Sequence, residues 1–250
     1  MPGIEGRGYL IAGAASGIGL AACKRLVSAG ASVAMLDLDA RKLRAEAAKL
    51  SNNGNVVALR CDVGDETCVR SVVETAAAQL GTLHGAVTSA GVFDPGDLVE
   101  VEALEMSVFE RVIGVNLRGT LLVLRAVLPL LAKGGSVVTV ASTAGLRGHG
   151  MGPSYTCSKG GVIALTRLAA YQYGRKGIRV NCVCPGATAG EGMGAAFADE
   201  ATAAWASADL PLRRVGRADE VGATIAALLS DDTSYLTGQI IAVDGGATIR

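Results

Sequence analysis

The sequence predicts an α/β fold: one doubly wound domain in which a seven-stranded parallel sheet carries helices on both faces. Three observations predict it. Short β-like runs alternate with longer helical patterns from end to end, the pattern of strand–helix–strand units with right-handed crossovers. Several runs are apolar at consecutive positions, as strands covered on both sides are. No Pro/Gly/Ser-rich linker divides the 250 residues, a length that one large domain can fill.

In chain order, the first strand, GYLIAG, starts at Gly8 and leads through a glycine-rich turn into a helix over Leu20–Ala29. SVAMLD from Ser32 is the second strand, followed by a helix over Arg41–Leu50. NVVALRC from Asn55 and a helix over Thr67–Leu80 come next, then GAVTSA from Gly85. A helix over Leu117–Leu131 precedes the fifth strand, SVVTVAS from Ser136. The longest helix, Tyr155–Tyr173, leads to IRVNCVC from Ile178, and Ala218–Leu229 leads to QIIAVDG from Gln239. All six helical stretches have the length and spacing of crossover helices.

Composition narrows the function classes. Half of the residues are hydrophobic and 18% charged, ample for a buried core and contrary to disorder. Lys+Arg and Asp+Glu are 23 each, and no basic block marks a nucleic-acid or anionic-membrane partner. The N-terminus lacks a basic-then-apolar leader, and the apolar run GTLLVLRAVLPLLA is short and interrupted by Arg125 and Pro129, so neither a signal peptide nor a membrane span is expected. Six cysteines without C-x-x-C spacing and only two histidines argue against a metal site and for packed, reduced thiols in the cytoplasm.

Two places carry chemistry. At the first turn stands Gly13-Ala-Ala-Ser16-Gly17-Ile18-Gly19, between an apolar strand and a helix. Glycines there let backbone N–H groups approach a pyrophosphate, and the helix presents its positive end to the anion. The second strand ends at Asp37, about where an acidic side chain meets the ribose hydroxyls of a dinucleotide; a 2′-phosphate would be repelled. The other place is Ser142 to Lys159. Tyr155 and Lys159 are four apart on one helix face, and a nearby ammonium favours phenolate. A phenol poised nearer neutrality is an acid/base.

In this order these residues resemble the classical short-chain dehydrogenase/reductase family over essentially the whole chain, which implies a single Rossmann-type domain. Gly13, Gly17 and Gly19 look like its glycine motif, and Asp62-Val63 follows the third strand where such enzymes hold adenine. Ala90-Gly91 ends a variant of N-N-A-G, Asn116 precedes Ser142, Tyr155 and Lys159, and Pro185-Gly186 follows the sixth strand. The resemblance implies Tyr155 as general acid/base, Ser142 positioning the substrate oxygen, and Lys159 lowering the phenol pKa while holding the nicotinamide ribose. Asn116 would hold the water of a proton relay. It further implies NAD as cofactor, bound also by Ser16 and Ile18, a small alcohol or ketone as substrate, and a homotetramer.

The chain departs from the family's pattern at several points. Ala12 replaces a Thr, Thr88-Ser89 replace Asn-Asn, with their hydroxyls as substitutes, and Ala141 replaces the first Ser of a pair. Gly190 stands where a carboxamide-binding Thr is common, and Thr188 is the expected replacement. Substrate choice falls to Val92–Asp97, Ala144–Pro153 and the lid-like Thr188–Leu212, with Met151, Met193, Phe197 and Trp205 as candidate pocket residues. His149 and Arg147, Arg213 and Arg214 are candidate substrate contacts, with solvated loop groups as the alternative. The competing functions are an NADPH-dependent 3-oxoacyl-carrier-protein reductase, opposed by Ser16 and Asp37, and a cofactor-binding regulatory or scaffold protein without turnover.

Overall fold

The computed structural model describes residues 1–148 and 151–249, apart from the side chain of residue 53. His149 therefore lies outside the described residues. Seven strands form one parallel sheet: β1 (Gly8–Ala12), β2 (Ser32–Asp37), β3 (Val56–Arg60), β4 (Leu83–Thr88), β5 (Leu131–Val140), β6 (Arg179–Pro185) and β7 (Ile240–Val243). Their spatial order is β3-β2-β1-β4-β5-β6-β7. All seven expected strands are present. The order reverses between β1 and β4, and at such a switch point the carboxyl ends of the strands open a crevice for a ligand.

Between the strands run α1 (Gly17–Ser28), α2 (Ala40–Leu50), α3 (Glu66–Leu80), α4 (Met106–Ile113), α5 (Gly119–Val127), α6 (Pro153–Gly174), α7 (Glu200–Ser207) and α8 (Ala218–Leu229). Every residue of β1 is buried, because successive side chains point to opposite faces and both faces are covered. Tyr9 and Ile11 join Leu26 of α1, Leu43 of α2 and Ile225 of α8 in one layer. Leu10 and Ala12 join Val73 of α3, Leu124 of α5 and Ala169 of α6 in the other. Each of the Leu, Ile and Val side chains among them contributes about 1.5–3 kcal/mol when fully buried.

The structure corrects the expected helix over Leu117–Leu131. The helical path begins at Met106, passes from α4 through a π-turn at Gly114–Arg118 into α5, and ends in a 3₁₀ turn at Leu128–Leu130. Val108 and Val112, four apart on the face turned inward, start the helix early, and Gly114 does not break it. Strand β5 then begins at once, at Leu131. This stretch is long and apolar enough to cross a membrane by length and composition, but half of it is buried inside the fold, where α4 packs on α6 and α5 on α3. Helix α7, inside the lid segment, was not expected from the sequence. Its N-terminus is capped by Asp199, which accepts from the Thr202 N–H at 2.8 Å.

Cys23, Cys61, Cys182 and Cys184 are buried as free thiols, Cys68 is half-buried, and Cys157 is exposed. His84 ties two strands together, its Nδ1 accepting from the Gly8 N–H at 3.2 Å.

Candidate active site

The glycine turn sits at the carboxyl end of β1, beside the switch point. Gly13 and Gly17 have φ of +80° and +54°, conformations that glycine adopts freely. A Cβ on Gly19 would stand 2.0 Å from the Gly13 carbonyl oxygen and 2.4 Å from Ser89 Oγ, so only glycine lets α1 start this close to the turn. Ser16 caps α1 with its backbone and makes no side-chain cap bond. Among the described residues the first-turn N–H groups of α1 have no side-chain acceptor, which fits an external anion. Ile18 packs against the adjacent core.

Ser89 explains how the chain manages without the family's asparagines. Its hydroxyl donates to the carbonyl of Ala12 at 2.7 Å and lies 3.3 Å from that of Gly13, bracing β1 and the turn from β4. Thr88 adds nothing to this brace, since its Oγ1 is buried without a partner.

Asp37, at the end of β2, receives the Ala15 N–H on Oδ2 at 2.9 Å and the Asp39 N–H on Oδ1 at 3.1 Å. Each oxygen keeps a further lone pair beside the glycine turn. The Lys42 ammonium is already paired with Glu191 of the lid at 2.6 Å. Asp62 is exposed and accepts from the Gly64 N–H at 2.9 Å. The Val63 side chain points into the core, where a Cβ on Gly119 would meet it at 2.8 Å, so only its main chain can face a ligand. Thr188 donates its hydroxyl to the Gly186 carbonyl at 2.9 Å, and Gly186 itself follows Pro185, the last residue of β6. Gly190 passes close to Gly17: a Cβ on it would lie 3.9 Å from the Gly17 Cα.

Asn116, Ser142, Tyr155 and Lys159 converge from the π-turn, the end of β5 and the first turns of α6. Asn116 is fully buried. Its Oδ1 accepts from the Val92 N–H at 2.7 Å, and its Nδ2 donates to the Val92 carbonyl at 3.0 Å and to Ser158 Oγ at 3.1 Å. This side chain is a brace between the loop after β4 and α6. Its main-chain carbonyl accepts the Thr120 hydroxyl at 2.8 Å. Ser142 Oγ accepts from the Ala144 N–H at 3.1 Å, and its hydroxyl lowers the pKa of the Tyr155 phenol. A Cβ on Gly145 would lie 2.7 Å from the Lys159 carbonyl carbon, so glycine lets this loop rest directly on α6. Beside Gly91, a Cβ would meet Asn116 Oδ1 at 3.3 Å and Lys159 Nζ at 3.4 Å.

Electrostatically the pair differs from expectation. Lys159 Nζ donates to the Val140 carbonyl at 3.1 Å and stands 5.6 Å from the centre of the Tyr155 ring, facing its π-surface. Burial pushes the phenol up to about 12, offset in part by the Ser142 hydroxyl and reinforced by the Cys184 thiol. Burial also pushes the Lys159 ammonium down to about 8, against the raising effect of Cys182 and Cys184. The expected acidification of Tyr155 by Lys159 is thus outweighed: desolvation penalises both charged forms, and the ammonium addresses the ring and a carbonyl instead of the phenol oxygen.

Around Tyr155 lie Val92, Phe93, Val108, Val112, Ala144 and Met151, with the Phe93 ring edge-on to Tyr155 at 5.9 Å between centroids. Phe93 lies in the segment Val92–Asp97 expected to govern substrate choice, though the sequence did not single it out within that segment. Of the candidate pocket residues, Met151 joins this wall, whereas Trp205 is 81% exposed and Met193 also faces solvent. The arginines are engaged elsewhere: Arg147 with the Ala247 carbonyl, Arg213 with the Ala208 carbonyl, and Arg214 with both carboxylate oxygens of Glu220.

A family model described as enoyl-(acyl carrier protein) reductase matches residues 13–248. Levodione reductase of Leifsonia aquatica is 35% identical, covering 96% of this chain and 93% of that protein. A crystal structure of levodione reductase superposes with a TM-score of 0.90 at 34% identity over 97% of both chains. A 2-(S)-hydroxypropyl-CoM dehydrogenase of Xanthobacter autotrophicus is 34% identical over 95% of both proteins. A 2,5-dichloro-2,5-cyclohexadiene-1,4-diol dehydrogenase of Sphingobium indicum is 33% identical over 99% of both.

Proposed function

Because the chain belongs to the short-chain dehydrogenase/reductase family and is an oxidoreductase of that kind, we propose that it interconverts a secondary alcohol and its ketone with NAD(H). The observation that carries this proposal is the convergence of Ser142, Tyr155 and Lys159 at the mouth of the crevice that also holds Gly91 and the glycine turn. A nicotinamide bound there would take or give the hydride. The chain's own residues do the rest. Tyr155 Oη takes the hydroxyl proton in oxidation and returns it in reduction, and Ser142 Oγ holds the substrate oxygen beside it. Lys159, with one N–H spent on Val140, keeps two for the cofactor ribose. The Asn116 side chain spends its two N–H groups and one lone pair of Oδ1 on Val92 and Ser158. A relay water would therefore use the remaining lone pair of Oδ1 or the main-chain carbonyl.

The wall of Phe93, Val92, Val108 and Met151 suits a compact, largely apolar substrate, with the lid 188–212 closing over it. A cyclic ketone, as levodione reductase and the cyclohexadiene-diol dehydrogenase suggest by name, fits this wall. A panel of cyclic and short-chain alcohols, followed by nicotinamide absorbance, tests the reaction; absence of turnover with every alcohol despite tight NADH binding would favour the non-catalytic alternative.

Asp37 supports NAD over NADP, since its free lone pairs would be available to ribose hydroxyls, whereas a 2′-phosphate would meet a carboxylate. NADH is expected to bind at least tenfold tighter than NADPH, and Asp37→Ala should narrow that gap. Titration of both cofactors by fluorescence checks it, and equal affinities would reject the assignment.

The protein is proposed to work in the cytoplasm as a homotetramer with two-fold axes. In support, Leu121 of α5 and Leu168 and Tyr171 of α6 expose large apolar side chains. Light scattering at micromolar concentration should report about four chains per particle; a monomer would contradict it.

A further inference from the structure

We infer that Asp97 is a positioning residue for Tyr155, holding the first turn of α6 from a loop far away in sequence. The beginning of α6 lacks a cap of its own. Its cap residue is Gly152, which has no side chain, and Pro153 follows with no N–H to offer. The Ser154 and Tyr155 N–H groups, which no intrahelical acceptor can reach, both donate to Asp97: Ser154 N–H to Oδ1 at 2.9 Å and Tyr155 N–H to Oδ2 at 2.8 Å. The Ser154 hydroxyl is buried without a partner, so it does not share this work.

Asp97 is fully buried, as is Ser154. A carboxylate removed from water needs partners of this kind, and bonds to an ionised acceptor are about twice as strong as neutral ones. The fit around it is close. A Cβ on Gly152 would fall 1.6 Å from the Asp97 carbonyl oxygen, so glycine at the cap is what lets the loop approach.

The loop itself is anchored on the other side. The Asp97 N–H donates to the Asp94 carbonyl at 2.9 Å, and Asp94 Oδ1 accepts from the Gly96 N–H at 2.8 Å. Asp94 also pairs with Arg111 of α4, while Asn116 grips Val92 through both its N–H and its carbonyl. Between these anchors Phe93 sets its ring edge-on to Tyr155. The backbone of Tyr155 is thus fixed by Asp97 and its ring by Phe93, both from one segment. A phenol oxygen at the end of a rigid ring moves with its Cα, and small displacements of a reacting group cost much of its rate.

The inference rests on Tyr155 being the acid/base. Its test compares Asp97→Ala, Asp97→Ser and Asp97→Asn with the wild type, measuring kcat and KM for one proven alcohol and counting active sites by NADH titration. Per NADH-binding site, kcat of Asp97→Ala should fall about thirtyfold, with substrate KM and NADH Kd within about twofold. Asp97→Asn and Asp97→Ser, which keep an oxygen acceptor, should recover part of the loss. The same ordering between Asn and the wild type suffices if the Ala variant does not fold. A merely structural role would lower the number of NADH-binding sites and leave kcat per site intact. That result, or a loss confined to KM, overturns the inference. If Tyr155→Phe retains full turnover, the acid/base assignment falls first; if Tyr155→Phe is inactive and the Asp97 variants keep wild-type kcat, this inference alone falls.

Discussion

Tyr155→Phe should lower turnover at least about a hundredfold, the usual worth of a general acid–base group, and leave NADH affinity unchanged. The substitution removes one oxygen from a side chain that is only 5% exposed. The ring stays, and with it the edge-on contact to Phe93 at 5.9 Å between centroids. The fold should lose no more than about 1 kcal/mol, the net value of one hydrogen bond. Binding and chemistry would then separate, as they do when a group acts only in the transition state. The pH dependence has a definite sign. Burial holds the phenol up at about 12, so phenolate is the minority form near neutrality and oxidation should accelerate as pH rises. Reduction, which uses the protonated phenol, should not. Steady-state rates in both directions across pH 6–10 are the measurement, and wild-type oxidation by the Phe variant would remove Tyr155 from the mechanism.

Lys159→Met should weaken NADH binding and lower turnover by about a hundredfold or more, yet raise stability near neutrality. The two effects have one cause. Burial pushes the ammonium down to about 8 from 10.5, so below that pH the native protein carries a desolvated charge. Between about 8 and 10 the unfolded chain binds a proton at Lys159 that the native protein has released, so this group's contribution to stability rises with pH through that window. Above pH 10 the Tyr155 phenol, held up at about 12, retains a proton that the unfolded chain has lost, and stability falls. Replacing Lys159 by Met removes the rise and should gain about 2 kcal/mol at pH 7. Urea midpoints at pH 7, 8.5 and 10 would show the variant's advantage over the wild type shrinking as pH rises, on a background shared by both from the buried thiols; a constant difference would contradict the buried charge. Such a trade between stability and activity is common at functional sites.

Most of the fold and the main chemical groups were legible in the sequence because they depend on neighbours along the chain. The unbroken apolar run Tyr9-Leu10-Ile11-Ala12 marks a strand covered on both faces wherever it is placed, and Tyr155 and Lys159 share a helix face by virtue of being four apart. The glycines of the turn after β1 announce a close backbone approach in the same local way. Helix limits were harder to read: Gly114, a poor helix residue, stands just before the expected start at Leu117, while the π-turn around Asn116 carries the helix through. Tertiary structure alone decided what reaches across the chain. Ser89 takes over the bracing of Ala12 and Gly13, Asn116 spends its amide on Val92 and Ser158, and Asp97 caps α6 from a loop 57 residues before Ser154. A backbone N–H at a helix end reads the same whichever distant acceptor satisfies it. The direction of the Tyr155 and Lys159 pKa shifts was likewise beyond local reading, since it follows from how much water the rest of the molecule excludes, and that is set only when the layers close over the site.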